Sequence, residues 1–180
     1  MVYIFLADGF EEIEALCPLD ILRRAGLEVV TVGIGGKREI VGAHGIGVMA
    51  DIADTELTLD KPELILLPGG MPGTKNLEAS GVVRAAILDA QERKSFIAAI
   101  CAAPSVLGKM GLLEGVEATC FPGFEQHLIG ATISTEKVIR DGRFITAKGM
   151  GVALEFGLCI VEALLGKEKA DEIAAQVQMK

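Results

Sequence analysis

One thiol in this chain stands where a backbone turn would present it to a substrate. Residues 95–100, Ser-Phe-Ile-Ala-Ala-Ile, read as a buried strand, and Ala102-Ala103-Pro104-Ser105-Val106-Leu107 as the start of a helix. Pro104 suits the first turn of that helix, where its missing N–H is no loss. Cys101 lies between the two. A residue on a sharp strand-to-helix turn is thrust out of the sheet and faces the N-terminus of the next helix. Ala99, Ala102 and Ala103 are small enough to let such a turn close. Unpaired N–H groups and the helix dipole favour a thiolate, so the pKa of Cys101 is expected to fall below the roughly 8.5 of a free thiol. A free cysteine is also commonly a small buried hydrophobe, and the local sequence leaves both roles open.

A carboxyl is the second group of interest. Ala7-Asp8-Gly9-Phe10-Glu11-Glu12-Ile13-Glu14 runs from a strand end into a helix start. Glutamates in a first helical turn suit the macrodipole, which by itself accounts for Glu11 and Glu12. Glu14 has helical neighbours Phe10, Cys17 and Pro18, an apolar setting that would hold its carboxyl protonated by desolvation. A protonated Glu14 donates a hydrogen bond to a thiolate, whereas an ionised one opposes it. The competing reading is an ordinary solvated helix charge.

Leu67-Pro68-Gly69-Gly70-Met71-Pro72-Gly73 is a third candidate loop. Its glycines would let backbone N–H groups approach a ligand closely, as an oxyanion hole requires. The same residues are also ordinary turn chemistry, and no Gly-Lys-Ser/Thr follows to make a phosphate loop. Gly149-Met150-Gly151 is either a fourth element of the same rim or only a turn. A Cys-His-acid triad would have to recruit His44 or His127, the chain's two histidines. Spacing brings neither to Cys101.

The elements that must hold these groups alternate between strand and helix, which implies a largely parallel sheet covered on both faces. Residues 2–7, 27–33, 63–67 and 95–100 read as buried strands. Residues 10–24 read as a helix with Ile13, Leu16, Leu19 and Leu22 recurring at threes, Pro18 inside it and Gly26 ending it. Residues 82–93, 152–165 and 168–177 read as further helices. Gly42-Ala43-His44-Gly45 suggests a hairpin excursion, and Asp141-Gly142 a tight hairpin turn. With 180 residues and no linker or repeat, one domain over 1–180 is expected.

Composition excludes several classes. A net charge of −8 argues against a nucleic-acid surface. No apolar run approaches the roughly 20 residues of a membrane span, and no basic leader precedes the first strand, so neither a membrane anchor nor a signal peptide is expected. The four cysteines (Cys17, Cys101, Cys120, Cys159) form no CxxC pair, which speaks against a disulfide scaffold or zinc site and suits a reducing cytoplasm.

Taken together, the residue 7–14 motif, Leu19-Asp20-Ile21-Leu22-Arg23-Arg24-Ala25-Gly26, Leu67-Pro68-Gly69-Gly70, Ala99-Ile100-Cys101-Ala102-Ala103-Pro104 and the helix from Phe156-Gly157 to Leu164 resemble the ThiJ/PfpI superfamily. Within it they are most similar to the clade of the parkinsonism-associated protein deglycase and its bacterial relatives. The resemblance covers nearly the whole length. It implies a flavodoxin-like α/β three-layer sandwich with a mainly parallel central sheet, assembled as a homodimer. It implies Cys101 as nucleophile, Glu14 as its protonated partner, and the backbone of Gly69, Gly70 and Ala102 as oxyanion donors. It implies small α-oxoaldehydes such as methylglyoxal, or early glycation adducts, as substrates, with a hydroxy acid released and no metal or organic cofactor. The alternative it carries is a redox-responsive chaperone or sensor acting by oxidation of Cys101.

Three positions depart from branches of that family. The protease branch has His after the cysteine; Ala102 stands there, which argues against a peptidase. In Thr119-Cys120-Phe121-Pro122, Phe121 replaces a loop His of the eukaryotic members, and His44 replaces an Arg near the cysteine. His44, and Arg24 offered across a dimer, are the implied anion contacts.

Overall fold

A computed structural model describes residues 1–179. Its elements in chain order are β1 (Val2–Leu6), α1 (Glu12–Arg24), β2 (Val29–Gly33), β3 (Glu39–Val41), β4 (Gly47–Met49), β5 (Ile52–Ala53), β6 (Leu64–Leu67), α2 (Gly73–Ala79), α3 (Gly81–Arg93), β7 (Phe96–Ile100) and α4 (Pro104–Lys109). They continue with β8 (Glu117–Ala118), β9 (Thr132–Ile133), β10 (Val138–Asp141), β11 (Phe144–Ala147), α5 (Ala153–Leu165) and α6 (Lys167–Gln176).

Apolar residues on both sides of each central strand explain the layering. Val2, Ile4 and Leu6 of β1 face one core with α1, α5 and α6, while Tyr3 and Phe5 face the other with α2, α3 and α4. A strand alternates its side chains between faces, so a continuous apolar run demands cover on both. Seven strands form the main sheet in the order β10-β11-β7-β6-β1-β2-β5. All its pairs are parallel except β10 with β11, the hairpin turned at Gly142. This is the expected flavodoxin-like α/β sandwich. Chain progression reverses between β1 and β6, and ligands of open α/β sheets bind outside the carboxyl ends of strands at such a reversal. Residues 7–11, 68–72 and 101–103 all leave strands at that end.

Two local readings need correction. Residues 73–79 form α2, hidden in the sequence by its shortness and its Gly and Pro neighbours. In α1 the inward face carries Glu14, Ala15, Pro18, Ile21 and Leu22, whereas Ile13 is 48% exposed. Of the apolar residues at threes, Leu22 is buried in the core and Leu19 packs against it, while Ile13 stands on the outer flank. The first turn of α1 instead points two carboxyls, Glu12 and Glu14, into the molecule. Behind them α1 lies close on α5: a Cβ at Gly157 would meet Pro18 Cα and Ile21 Cβ at 3.2 Å. No helix among the described residues is long and apolar enough to cross a membrane.

Candidate active site

Cys101 adopts φ +65°, a left-handed conformation that L-residues avoid. Two hydrogen bonds fix it there. The Cys101 N–H donates to Ala147 O at 2.8 Å, and the Phe121 N–H donates to Cys101 O at 2.8 Å. The turn therefore depends on β11 and on the loop after β8, and not only on the strand and helix it joins. Holding a non-glycine residue in this region costs on the order of 1–3 kcal/mol, a strain that gathers at functional sites.

Glu14 meets this thiol. Its carboxyl lies beside Cys101, close enough for each group to shift the other's titration. Glu14 is 1% exposed, so its carboxyl oxygens need partners, and backbone supplies them. The Gly69 N–H donates to Oε2 at 3.0 Å, and the Met150 N–H lies near enough to favour the ionised carboxyl. Gly69 has to be glycine for this approach. A Cβ there would lie 2.5 Å from Glu14 Oε2 and 2.6 Å from Cys101 Cβ.

The electrostatics of the pair agree with half of the expectation. Burial, with a smaller contribution from the Glu11 charge, raises the Glu14 pKa from 4.5 to about 7. The thiol does not move down as expected. Burial first, then the charge of Glu14 beside it, push Cys101 up to about 12. The N–H groups of Ala102 and Gly70 pull the other way, yet too weakly to reverse it. Helix α4 is only six residues long and contributes little dipole. The two groups titrate as a coupled pair, the carboxyl giving up its proton before the thiol.

The oxyanion assignment is also narrowed. Gly70 and Ala102 direct N–H groups at the sulfur. The Gly69 N–H is occupied by Glu14, so Gly69 positions the carboxyl and is not a free oxyanion donor. Gly149-Met150-Gly151 is a rim element, through the Met150 N–H.

The histidines and Arg24 do not reach the thiol within this chain. His44 stacks its hydrogen bonds on Glu12: its N–H donates to Oε1 at 2.8 Å and its Nδ1 lies 2.8 Å from Oε2. Glu12 thereby clamps the β3–β4 turn to the start of α1, and this pairing raises the His44 pKa. Glu11, Glu12 and His44 bring ligand-type atoms within 4.8 Å of one another, the one such cluster among the described residues. Glu12 is already satisfied by the turn, which marks the cluster as a clamp. Arg24 pairs with Asp20 at 2.6 Å and lies ten residues along α1 from Glu14, about 15 Å of helix. His127 packs edge-on against Phe124.

Phe121 borders the site instead. A Cβ at Gly149 would meet its ring at 3.4 Å and Glu14 Oε1 at 3.7 Å. Beyond that ring an open cleft of about 460 Å³ runs between Phe121, Pro122, Met150 and Val152, with Lys137 and Lys148 beside it. Sequence reading missed this cleft, because its walls come from loops whose only signal is a pair of glycines and a proline.

Comparison with known proteins agrees with this fold. Residues 1–163 match the DJ-1/PfpI family model. Protein dj-1beta of Drosophila melanogaster is 35% identical over 173 residues, covering 95% of this chain and 92% of its own. A Caenorhabditis elegans protein named as a glutathione-independent glyoxalase is 32% identical over 165 residues, covering 91% and 87%. Among solved structures, a cysteine mutant of a DJ-1 superfamily protein from Salmonella typhimurium superposes with a TM-score of 0.95 at 32% identity, covering 99% and 98% of the two chains. With the strained cysteine, the buried glutamate and the parallel sheet already in place, the match over residues 1–163 makes this chain a member of the DJ-1/PfpI family.

Proposed function

We propose that the protein is a cofactor-independent enzyme that converts α-oxoaldehydes, free or as early glycation adducts, to hydroxy acids through Cys101. The observation that carries this reading is the Glu14–Cys101 pair with the Gly70 and Ala102 N–H groups aimed at the sulfur. A carboxyl titrating near pH 7 is matched to proton transfer at neutral pH. Its thiol partner is a poor thiolate when left alone, so the proton has to leave as the bond forms.

The steps follow. The sulfur adds to the aldehyde carbon, its proton passes to the Glu14 carboxylate, and the carbonyl π pair moves to oxygen. The Gly70 and Ala102 N–H groups stabilise that oxygen, and Glu14 returns the proton to it. Loss of the C–H proton from the hemithioacetal to Glu14, with reprotonation at the neighbouring carbon, gives a hydroxyacyl thioester. Water cleaves the C–S bond, releasing the hydroxy acid and restoring the thiol. The sum is oxoaldehyde plus water to hydroxy acid, with no external oxidant or reductant. The name of the nematode relative supports this reading.

The test is lactate formed from methylglyoxal by wild type and Cys101→Ser at equal concentration. Loss of turnover in the variant is expected, and equal rates would remove the enzymatic reading. A redox role is the second reading. It is favoured by the same buried acid, since a protonated Glu14 and two N–H groups would also hold a cysteine sulfinate. Intact mass after peroxide titration distinguishes it: addition of two oxygens confined to Cys101 without aldehyde turnover would favour the sensor.

A further inference from the structure

Methylglyoxal, with one methyl beside its carbonyls, leaves the cleft next to the thiol unfilled. That cleft is about 460 Å³, in the roughly 300–1,000 Å³ range of small-molecule sites. It is continuous with the catalytic pair through three residues. Phe121 donates its N–H to Cys101 O. The Met150 N–H lies near enough to the Glu14 carboxyl to favour its ionised form. Gly149 presents a bare backbone between the Phe121 ring and Glu14 Oε1. Its walls are apolar: Phe121 and Met150 are 48% and 53% exposed, Pro122 and Val152 complete the lining, and no ionised acid lines it. Two cations stand at its margin in a chain of net charge −8. Neither Lys137 nor Lys148 makes an ion pair among the described residues, and Lys148 Nζ donates only to Thr135 O at 2.8 Å.

We infer that this cleft is the substrate-arm subsite, and that the enzyme selects α-oxoaldehydes bearing an aromatic arm, best of all one ending in a carboxylate. The inference rests on the reading of Cys101 as an aldehyde-adding thiol, and deepens it. The reactive aldehyde lies at the sulfur, and the arm lies against the Phe121 ring, the arrangement aromatic pairs favour when offset or edge-on. A carboxylate at the far end of the arm reaches the two lysines. The chemistry is unchanged: aryl oxoaldehyde plus water gives the aryl hydroxy acid.

The probes are methylglyoxal, phenylglyoxal and 4-carboxyphenylglyoxal, followed by formation of the hydroxy acids. Phenylglyoxal is expected to exceed methylglyoxal in kcat/KM by about tenfold or more, the scale on which apolar pockets discriminate. The carboxylated probe should gain about threefold further at low ionic strength and lose that gain in high salt or in Lys137→Ala/Lys148→Ala. Phe121→Ser should collapse the aryl preference mainly through KM, with methylglyoxal turnover less affected. Calorimetry on Cys101→Ala supplies a readout without turnover, with mandelate expected to bind at least about tenfold tighter than lactate.

Equal kcat/KM for phenylglyoxal and methylglyoxal would overturn the subsite while leaving the enzymatic reading intact. No turnover of any probe, with mandelate still preferred, would overturn the enzymatic reading and keep the subsite. A second copy of the chain is the rival occupant. If Met150→Ser converts a dimer to a monomer in sedimentation and leaves the probe ratio unchanged, the cleft is a contact between copies and the proposal fails.

Discussion

Replacing Glu14 by Gln should make the protein more stable at pH 8 and leave its stability little changed at pH 4. The reason is the direction in which burial moves the carboxyl. An acid whose pKa is raised in the folded state holds its proton more tightly there than in the unfolded chain. Its contribution is complete below the unfolded value of 4.5 and is lost as pH rises through the folded value of about 7. The distance between those values, at about 1.4 kcal/mol for each tenfold change, is worth roughly 3 kcal/mol. Glutamine keeps the shape and both kinds of hydrogen-bonding atom, but never ionises. The difference between the two proteins should therefore be near zero at pH 4, grow between pH 4.5 and 7, and level off at roughly 3 kcal/mol in favour of the variant. Groups remote from the pair, including His44 and Glu12, are common to both proteins and cancel, and Cys101 keeps its proton between pH 4 and 7. Urea titrations at half-unit pH intervals would show this as a midpoint difference of about 1 M or more above pH 7. A difference that stays flat from pH 4.5 to 7 would refute the claim that Glu14 is held protonated by its surroundings.

Three further outcomes are expected. Glu14→Gln removes a charge that holds the Cys101 thiol up, so iodoacetamide labelling of Cys101 should set in at lower pH in the variant than in wild type; identical pH profiles by peptide mapping would contradict the coupling. Gly69→Ala should destabilise by about 1–3 kcal/mol through overpacking and slow Cys101 labelling, because its Cβ would sit 2.6 Å from Cys101 Cβ; urea melts and labelling rates check both. The protein should sediment as a homodimer through the outer flank of α1 and the β3–β4 hairpin, where Ile13, Val41, Ile46 and Met49 are all more than 40% exposed; a monomer at micromolar concentration would count against that surface.

Strand identity and the elbow were legible because their causes are local. An apolar run on both sides of a strand calls for two covering layers, and Cys101 between β7 and a proline-led helix announces a turn. The same locality explains the errors. The spacing of Ile13, Leu16, Leu19 and Leu22 is a true helical signal and Leu22 does reach the core, but periodicity cannot foresee that Ile13 stands outward where the first-turn inward positions have been given to Glu12 and Glu14. The expected fall in the Cys101 pKa rested on the helix dipole, which six residues supply weakly, whereas burial first and then the Glu14 charge raise it. Gly69 shows the point most sharply. Its local context suggested an oxyanion donor, and its N–H does serve an oxygen, but that oxygen belongs to Glu14, fifty-five residues earlier in the chain. Which acceptor a backbone N–H meets is set by strand order. Here β6 lies between β1 and β7, so the loop it carries must lie between the carboxyl that follows β1 and the thiol that follows β7. Glycine at position 69 is therefore what allows acid and nucleophile, delivered by separate strands, to lie beside each other.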